Sequence, residues 1–303
     1  MRRCQRLETD LEIKNLTTFK IGGKIKQVYF PETCDEFLQV LNSNPDAKVL
    51  GNISNTLVSS DGYDGTLILT TKMNDVQIEG CKVIAQCGIK NPILAQTVAK
   101  EGLSGFEFMI GFPGTLGGNI FMNASAHGQC VSDNLISVTT VENGKIKTFA
   151  KDEMGFSYRH SNCFEKNLTV LSAEFKLEKA DKTTIEEKMK ENLEFRKTHQ
   201  PNLALPNCGS VFKNSENESA GKLLDSIGAK EMKVGAAKVW ENHANFIINT
   251  GNCTSTDILE LMSEMQEKVN EKYGIKLIPE IRYLGNKNKA EEELCRKLKI
   301  ELI

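Results

Sequence analysis

Four segments concentrate glycine, asparagine and serine: IGG (21–23), LGNISN (50–55), GFPGTLGG (111–118) and MNASAHG (122–128). Glycine admits a close backbone approach, and successive backbone N–H groups form concavities that suit an anion such as a pyrophosphate. Any one of these segments also reads as an ordinary tight turn. Four of them in the first half of the chain point instead to a dinucleotide. Neither common phosphate motif is present: no GxGxxG follows a strand, and GxxxxGK[ST] does not occur. The nine cysteines include no CxxC, and neither they nor the four histidines have metal-ligand spacing.

Composition narrows the class. The chain has 303 residues, 40% hydrophobic and 26% charged. Its mean hydropathy of −0.33 fits a soluble globular protein of about two domains, with three small ones also possible. Thirty-eight basic and 40 acidic side chains give a net charge of −2, which argues against nucleic-acid or membrane-surface partners. An odd cysteine count in a chain this long suits reduced thiols in a cytosol. The start, MRRCQRLETDLEIK, lacks the apolar stretch of a signal peptide, and no run approaches a membrane span. A cytoplasmic protein is expected.

The elements that must carry these segments alternate without regular βαβ order, which reads as α+β. Strands are expected at 26–30, 48–50, 66–71, 82–87, 168–178, 209–212, 244–249 and 276–284. A hairpin over 136–150 should turn at Asn143-Gly144. Pro31 should open a helix over 32–42, and Asn91-Pro92 should cap and start one that Gly102 ends. Thr183 and Glu186 suggest a capping box on a helix with Ile185, Met189 and Leu193 along one face, bridging two folded parts. Further helices are expected near 219–227, stopped by Gly228, and through Ile258–Val269 with Gly274 as cap, with a short one in the tail. The Met262/Met265 stripe is core, and His243 reads as structural or as a support behind the site.

The order of segments is itself informative. TFKIGG (18–23), LGNISNTL (50–57), GLSGFEFMIGFPGTLGG (102–118), MNASAHG (122–128), FSYRHS (156–161), NCGSVFKN (207–214), AGKLL (220–224), HANFIIN (243–249) and PEIRYLG (279–285) occur in sequence. This set resembles the MurB family, UDP-N-acetylenolpyruvoylglucosamine reductases, over about residues 15–285. The resemblance implies a two-part FAD-binding region of the vanillyl-alcohol-oxidase (PCMH) type, 1–58 and 59–190, and a C-terminal α+β substrate domain, 191–303. It implies non-covalent FAD, NADPH as co-substrate, a UDP-sugar substrate and a monomer. The short interval between Arg159 and Ser210 matches the subclass without the extra tyrosine loop.

The resemblance also assigns residues. FAD would be held by Gly51, Asn52, Ser54, Asn55, Gly111, Pro113, Gly114, Thr115, Gly117, Gly118 and Asn123. Arg159 would bind the enolpyruvyl carboxylate, Ser210 would protonate C2, and Glu280 would help to stabilise the enolate. Tyr158, Lys213 and Asn214 would line the substrate site, the last two supporting Ser210. Without the resemblance Arg159, Ser210 and Glu280 read as a surface arginine, a turn serine and a strand-edge carboxylate.

Several positions depart from the family pattern. Ile53, Ser125 and His127 stand where glycine, glycine and tyrosine are usual; Asn119, Ser215 and Trp240 replace alanine, proline and a small polar residue. A β-branched residue at 53 fits poorly if the backbone there needs a positive φ. Two alternatives follow: a flavin oxidoreductase of the same cofactor fold acting on another substrate, or a non-catalytic UDP-sugar-binding relative without FAD.

Overall fold

The computed structural model describes residues 6–202, 204–215 and 218–303. The fold is α+β. The described chain forms two compact units, one from 6–7, 28–52 and 66–196, the other from 8–27, 53–65 and 197–303. Residues of the expected 1–58 segment thus belong to both.

The first unit is built on a five-stranded sheet in the order 145–150, 135–142, 169–176, 82–86, 76–79, every pairing antiparallel. The expected hairpin is present: Glu142 faces Lys145 across a two-residue turn. Asn143 (φ +50°) and Gly144 (φ +73°) are both left-handed, as that turn requires. Strand 48–50 pairs in parallel with 67–69, and the strand from Tyr63 ends at Leu69 because Thr70–Lys72 tighten into a 3₁₀ turn.

Helix α1 is Cys34–Ser43, not 32–42. Thr33 caps it, its hydroxyl accepting from Glu36 N at 3.2 Å, so Pro31 lies outside. Helix α2 is Asn91–Lys100. Lys90, not Asn91, holds its N-cap position, and the Asn91 side chain is buried and points elsewhere. A helix not expected from the sequence, α3 (Leu116–Met122), follows the glycine-rich loop. Helix α4 is Lys182–His199. Asp181 Oδ1, not a Thr183–Glu186 box, accepts from Thr183 N and Thr184 N at 2.9 and 3.2 Å. The chain passes from one unit to the other between Arg196 and Lys197, near the end of α4. Val83, Leu94, Val98, Phe108, Val138 and Phe175 are among the buried residues of one continuous core.

The second unit holds α5 (Ala220–Ser226), α6 (Ser255–Tyr273) and α7 (Lys289–Leu298). Gly228 (φ +72°) follows α5 and Gly274 (φ +66°) caps α6, both as expected. Ile258, Leu261, Met262, Met265 and Val269 of α6 are all buried in the core of this unit. Two small sheets complete it: antiparallel 233–234, 237–239, 247–249, and parallel 301–302, 282–284, 56–58. The expected strand 209–212 reduces to isolated bridges, Ser210 to Phe246 and Phe212 to Pro279. Strands 244–249 and 276–284 shorten to 247–249 and 282–284.

The eight described cysteines are free, and Cys4 lies outside the described residues. Burial pushes the Cys87 thiol up to about 12. No described helix is long and apolar enough to cross a membrane, and no group of described residues could hold a metal ion.

Candidate active site

In the first unit, the loop at Gly51 lies against Thr115. A Cβ on Gly51 would fall 2.0 Å from Thr115 Oγ1, so only glycine fits there. Thr115 is buried and its Oγ1 has no hydrogen-bond partner. Asn123 ends α3 in the left-handed region (φ +42°), and its buried Oδ1 is likewise unpartnered. Buried polar atoms without partners are rare, and such groups invite a polar ligand. The Thr115 oxygen lies beside a backbone that excludes a Cβ, and both oxygens suit the donors of a bound dinucleotide.

The 111–118 loop is anchored from behind. Asn91 N donates to Gly114 O at 3.2 Å, Leu116 N to Ile89 O at 3.0 Å, and Gly117 N to Cys87 O at 2.8 Å. A Cβ on Gly117 would come within 2.9 Å of Cys87 Cβ, so that glycine also serves packing. Asn91 and Asn119 exchange side-chain hydrogen bonds at 2.6 and 3.3 Å, both buried. Asn119 thereby ties α3 to α2. Gly111 and Gly114 are buried, Asn52 and Pro113 half-buried, and Gly118 exposed.

Arg159 belongs to this same unit. It sits at the tip of a tight turn in which Ser157 and His160 exchange backbone hydrogen bonds, with φ +53°. Its Nη1 donates to Ser125 Oγ at 2.7 Å, and its guanidinium lies 5.1 Å from the centroid of the exposed Tyr158 ring.

In the second unit, Ser210 and Glu280 stand on adjoining segments. Glu280 N donates to Val211 O at 2.9 Å and Lys213 N to Ile278 O at 2.8 Å. Both side chains are half-buried. Asn55 joins them: its Nδ2 donates to Glu280 O at 3.0 Å. Ser54 is half-buried, and Ile53 is buried at φ +47°, the positive value the sequence made unwelcome for a β-branched residue. Asn214 Oδ1 accepts from Ala220 N at 3.0 Å, at the start of α5. Burial, reinforced by the Glu280 charge, raises the Cys208 thiol far above its ordinary value and keeps it protonated.

Two supporting residues escaped the sequence reading. Asn245 Oδ1 accepts from Phe212 N at 3.0 Å, and its Nδ2 donates to Phe212 O at 2.8 Å. One side chain replaces a strand neighbour for the serine-bearing segment. The signal was an asparagine inside the apolar run ANFIIN. Ser125 was noticed only as a departure from pattern. The His243 Nδ1 accepts from Asn245 N at 3.2 Å, and burial lowers its pKa.

Comparison with known proteins extends these observations. Residues 25–150 match an FAD binding domain, and residues 200–284 match the UDP-N-acetylenolpyruvoylglucosamine reductase C-terminal domain. The UDP-N-acetylenolpyruvoylglucosamine reductase of Carboxydothermus hydrogenoformans is 42% identical over 275 residues, 89% of this chain and 91% of that protein. That of Caldicellulosiruptor saccharolyticus is 38% identical over 283 residues, 91% of each. The crystal structure of the enzyme (MurB) from Thermus caldophilus superposes with a TM-score of 0.82 at 31% identity, covering 92% of this chain and 99% of that one. The chain belongs to the UDP-N-acetylenolpyruvoylglucosamine reductase family.

Proposed function

We propose that this chain reduces UDP-N-acetylenolpyruvoylglucosamine to UDP-N-acetylmuramate in the cytoplasmic synthesis of peptidoglycan precursors. It would hold FAD without a covalent link, take its electrons from NADPH and act as a monomer. The observation that carries the reading, in a member of this family, is the buried, unpartnered Thr115 Oγ1 against Gly51, with the unpartnered Asn123 Oδ1 in the same unit. In this reading, FAD is held by Gly51, Asn52, Ser54, Asn55, Gly111, Pro113, Gly114, Thr115, Gly117, Gly118 and Asn123, in a vanillyl-alcohol-oxidase-type region spanning 1–58 and 59–190. Residues 191–303 take the substrate.

When bound by these residues, FAD would supply the hydride chemistry that connects NADPH to C3 of the enolpyruvyl group. The residues handle the charge and the proton. Negative charge left at C2 spreads into the substrate carboxylate, which Arg159 binds. Preorganised charge facing a developing anion is worth about 10²–10³ in rate for a single donor. Ser210 gives its proton to C2, and Glu280 stabilises the enolate form. A serine is a weak acid, so Lys213 and Asn214 would support it. Tyr158 lines the substrate site.

The test is NADPH oxidation by the purified protein with and without UDP-N-acetylenolpyruvoylglucosamine, together with its flavin spectrum. The protein should be yellow, should release all its flavin on acid precipitation, and should oxidise NADPH in a substrate-dependent way. Colourless protein that FAD cannot reconstitute overturns the reading.

A further inference from the structure

We infer that Ser125 is a positioning residue for Arg159: a small hairpin presents its hydroxyl to the guanidinium and fixes how that group meets the substrate carboxylate. The inference rests on the reading of Arg159 given above. The hairpin pairs Ser125 with Cys130 and Ala126 with Gln129. Its turn residues, His127 (φ +53°) and Gly128 (φ +77°), are both left-handed, the twist that suits a two-residue connection. Facing it is the turn carrying Arg159, itself left-handed. A non-glycine residue there is strained and persists only where its surroundings hold it.

Besides the Ser157–His160 backbone bonds, three side-chain hydrogen bonds help to hold it, at alternate residues. Ser161 Oγ donates to Phe121 O at 2.7 Å, Asn123 Nδ2 to Ser157 O at 2.9 Å, and Arg159 Nη1 to Ser125 Oγ at 2.7 Å. The first two fix the backbone of the turn. The third reaches the guanidinium. Arginine has a long flexible side chain, and ordering it before substrate arrives removes an entropy term from binding. A serine hydroxyl accepts the hydrogen bond without bringing a negative charge, so it orients the group without opposing its attraction for an anion. A glycine at this position would offer no acceptor, so the device depends on the Ser125 side chain.

Ser125→Ala, Ser125→Thr, Arg159→Lys and the Ser125→Ala/Arg159→Lys double variant separate the possibilities. Stopped-flow absorbance follows flavin reduction by NADPH and its reoxidation by UDP-N-acetylenolpyruvoylglucosamine. Calorimetry compares that substrate with UDP-N-acetylglucosamine, which has no carboxylate. Ser125→Ala should slow reoxidation about tenfold, the size of one hydrogen bond to a charged group, and spare flavin reduction. It should weaken binding of the carboxylate-bearing nucleotide and leave that of UDP-N-acetylglucosamine unchanged. Ser125→Thr, which keeps a hydroxyl, should restore both values. The double variant should be no slower than Arg159→Lys. Normal reoxidation in Ser125→Ala, equal weakening of both nucleotides, or additive effects in the double variant overturns the inference. Wild-type rates in Arg159→Lys would instead sink the role of Arg159 itself.

Discussion

Asn55 and Glu280, 225 residues apart, are joined by a hydrogen bond from Asn55 Nδ2 to the Glu280 carbonyl at 3.0 Å. Arg282 N returns a bond to Asn55 O at 3.0 Å. The end of the LGNISN loop therefore runs into the strand pairing of 56–58 with 282–284, immediately beside the segment bearing Glu280. Asn55→Ala should lower stability by about 1 kcal/mol, one net hydrogen bond, in denaturant unfolding at saturating FAD. It should also slow reoxidation by substrate, because the Glu280 segment loses its brace. Unchanged stability would mean that water replaces the amide.

Ile53 sets two effects against each other. Its left-handed backbone costs about 1–2 kcal/mol for an L residue, yet its side chain is only 3% exposed. Removing a buried isoleucine costs about 2–5 kcal/mol. Burial should win, so Ile53→Gly should be less stable by about 1–3 kcal/mol despite relieving the backbone. An equally stable or more stable variant would show that strain dominates.

Glu291 is a carboxylate that is 1% exposed. It accepts from four hydroxyls: Ser59 at 2.7 Å, Tyr283 at 2.5 Å, Ser255 at 2.5 Å and Thr256 at 2.7 Å. Burial, then the hydrogen bond to Glu291, raises the Tyr283 phenol far above its ordinary value, so it remains the donor. Glu291→Gln replaces an acceptor by a donor facing donors. It should cost about 2 kcal/mol or more and lower the thermal midpoint by several degrees. A midpoint within one degree of wild type would mean that the hydroxyls find other partners.

His243 gives stability a pH dependence. Burial is the largest influence on its pKa, which lies below the ordinary 6.5. The unfolded chain then binds the proton more readily than the folded one. The contribution is complete above about 6.5 and is lost as pH falls through the lower folded value. Thermal midpoints from pH 7.5 to 5 should fall less steeply in His243→Gln than in the wild type. Parallel curves would assign the acid loss to other groups.

What the sequence made legible was local. The Asn143-Gly144 turn and the apolar face of α6 follow from neighbouring residues alone, and both formed as expected. The start of α1 was misplaced because Thr33 outcompeted Pro31 as the boundary. Helix α3 was missed because two glycines near its start hid a helix that its surroundings stabilise. The strand at 244–249 was overlong because Asn245 turns its side chain to Phe212 instead of continuing the ladder. For the chemistry, motif order proposed Arg159, Ser210 and Glu280. The contacts of Ser125, Asn119 and Asn245 depend on segments brought together only by folding.

Ser210 offers the sharpest division of the proposed cycle. It follows Gly209 (φ +80°) and stands on a segment fixed by Asn245 and paired with 278–280. That frame does not use the Ser210 hydroxyl, so Ser210→Ala should fold normally. Flavin reduction by NADPH needs no proton at C2 and should stay within a few-fold of wild type. Reoxidation by UDP-N-acetylenolpyruvoylglucosamine must quench charge at C2 and should slow by roughly 10²–10⁴, the usual contribution of a positioned general acid. Stopped-flow absorbance reads both steps on one sample. Equal slowing of both would make Ser210 a structural residue, and no slowing of either would move the proton donor to another group.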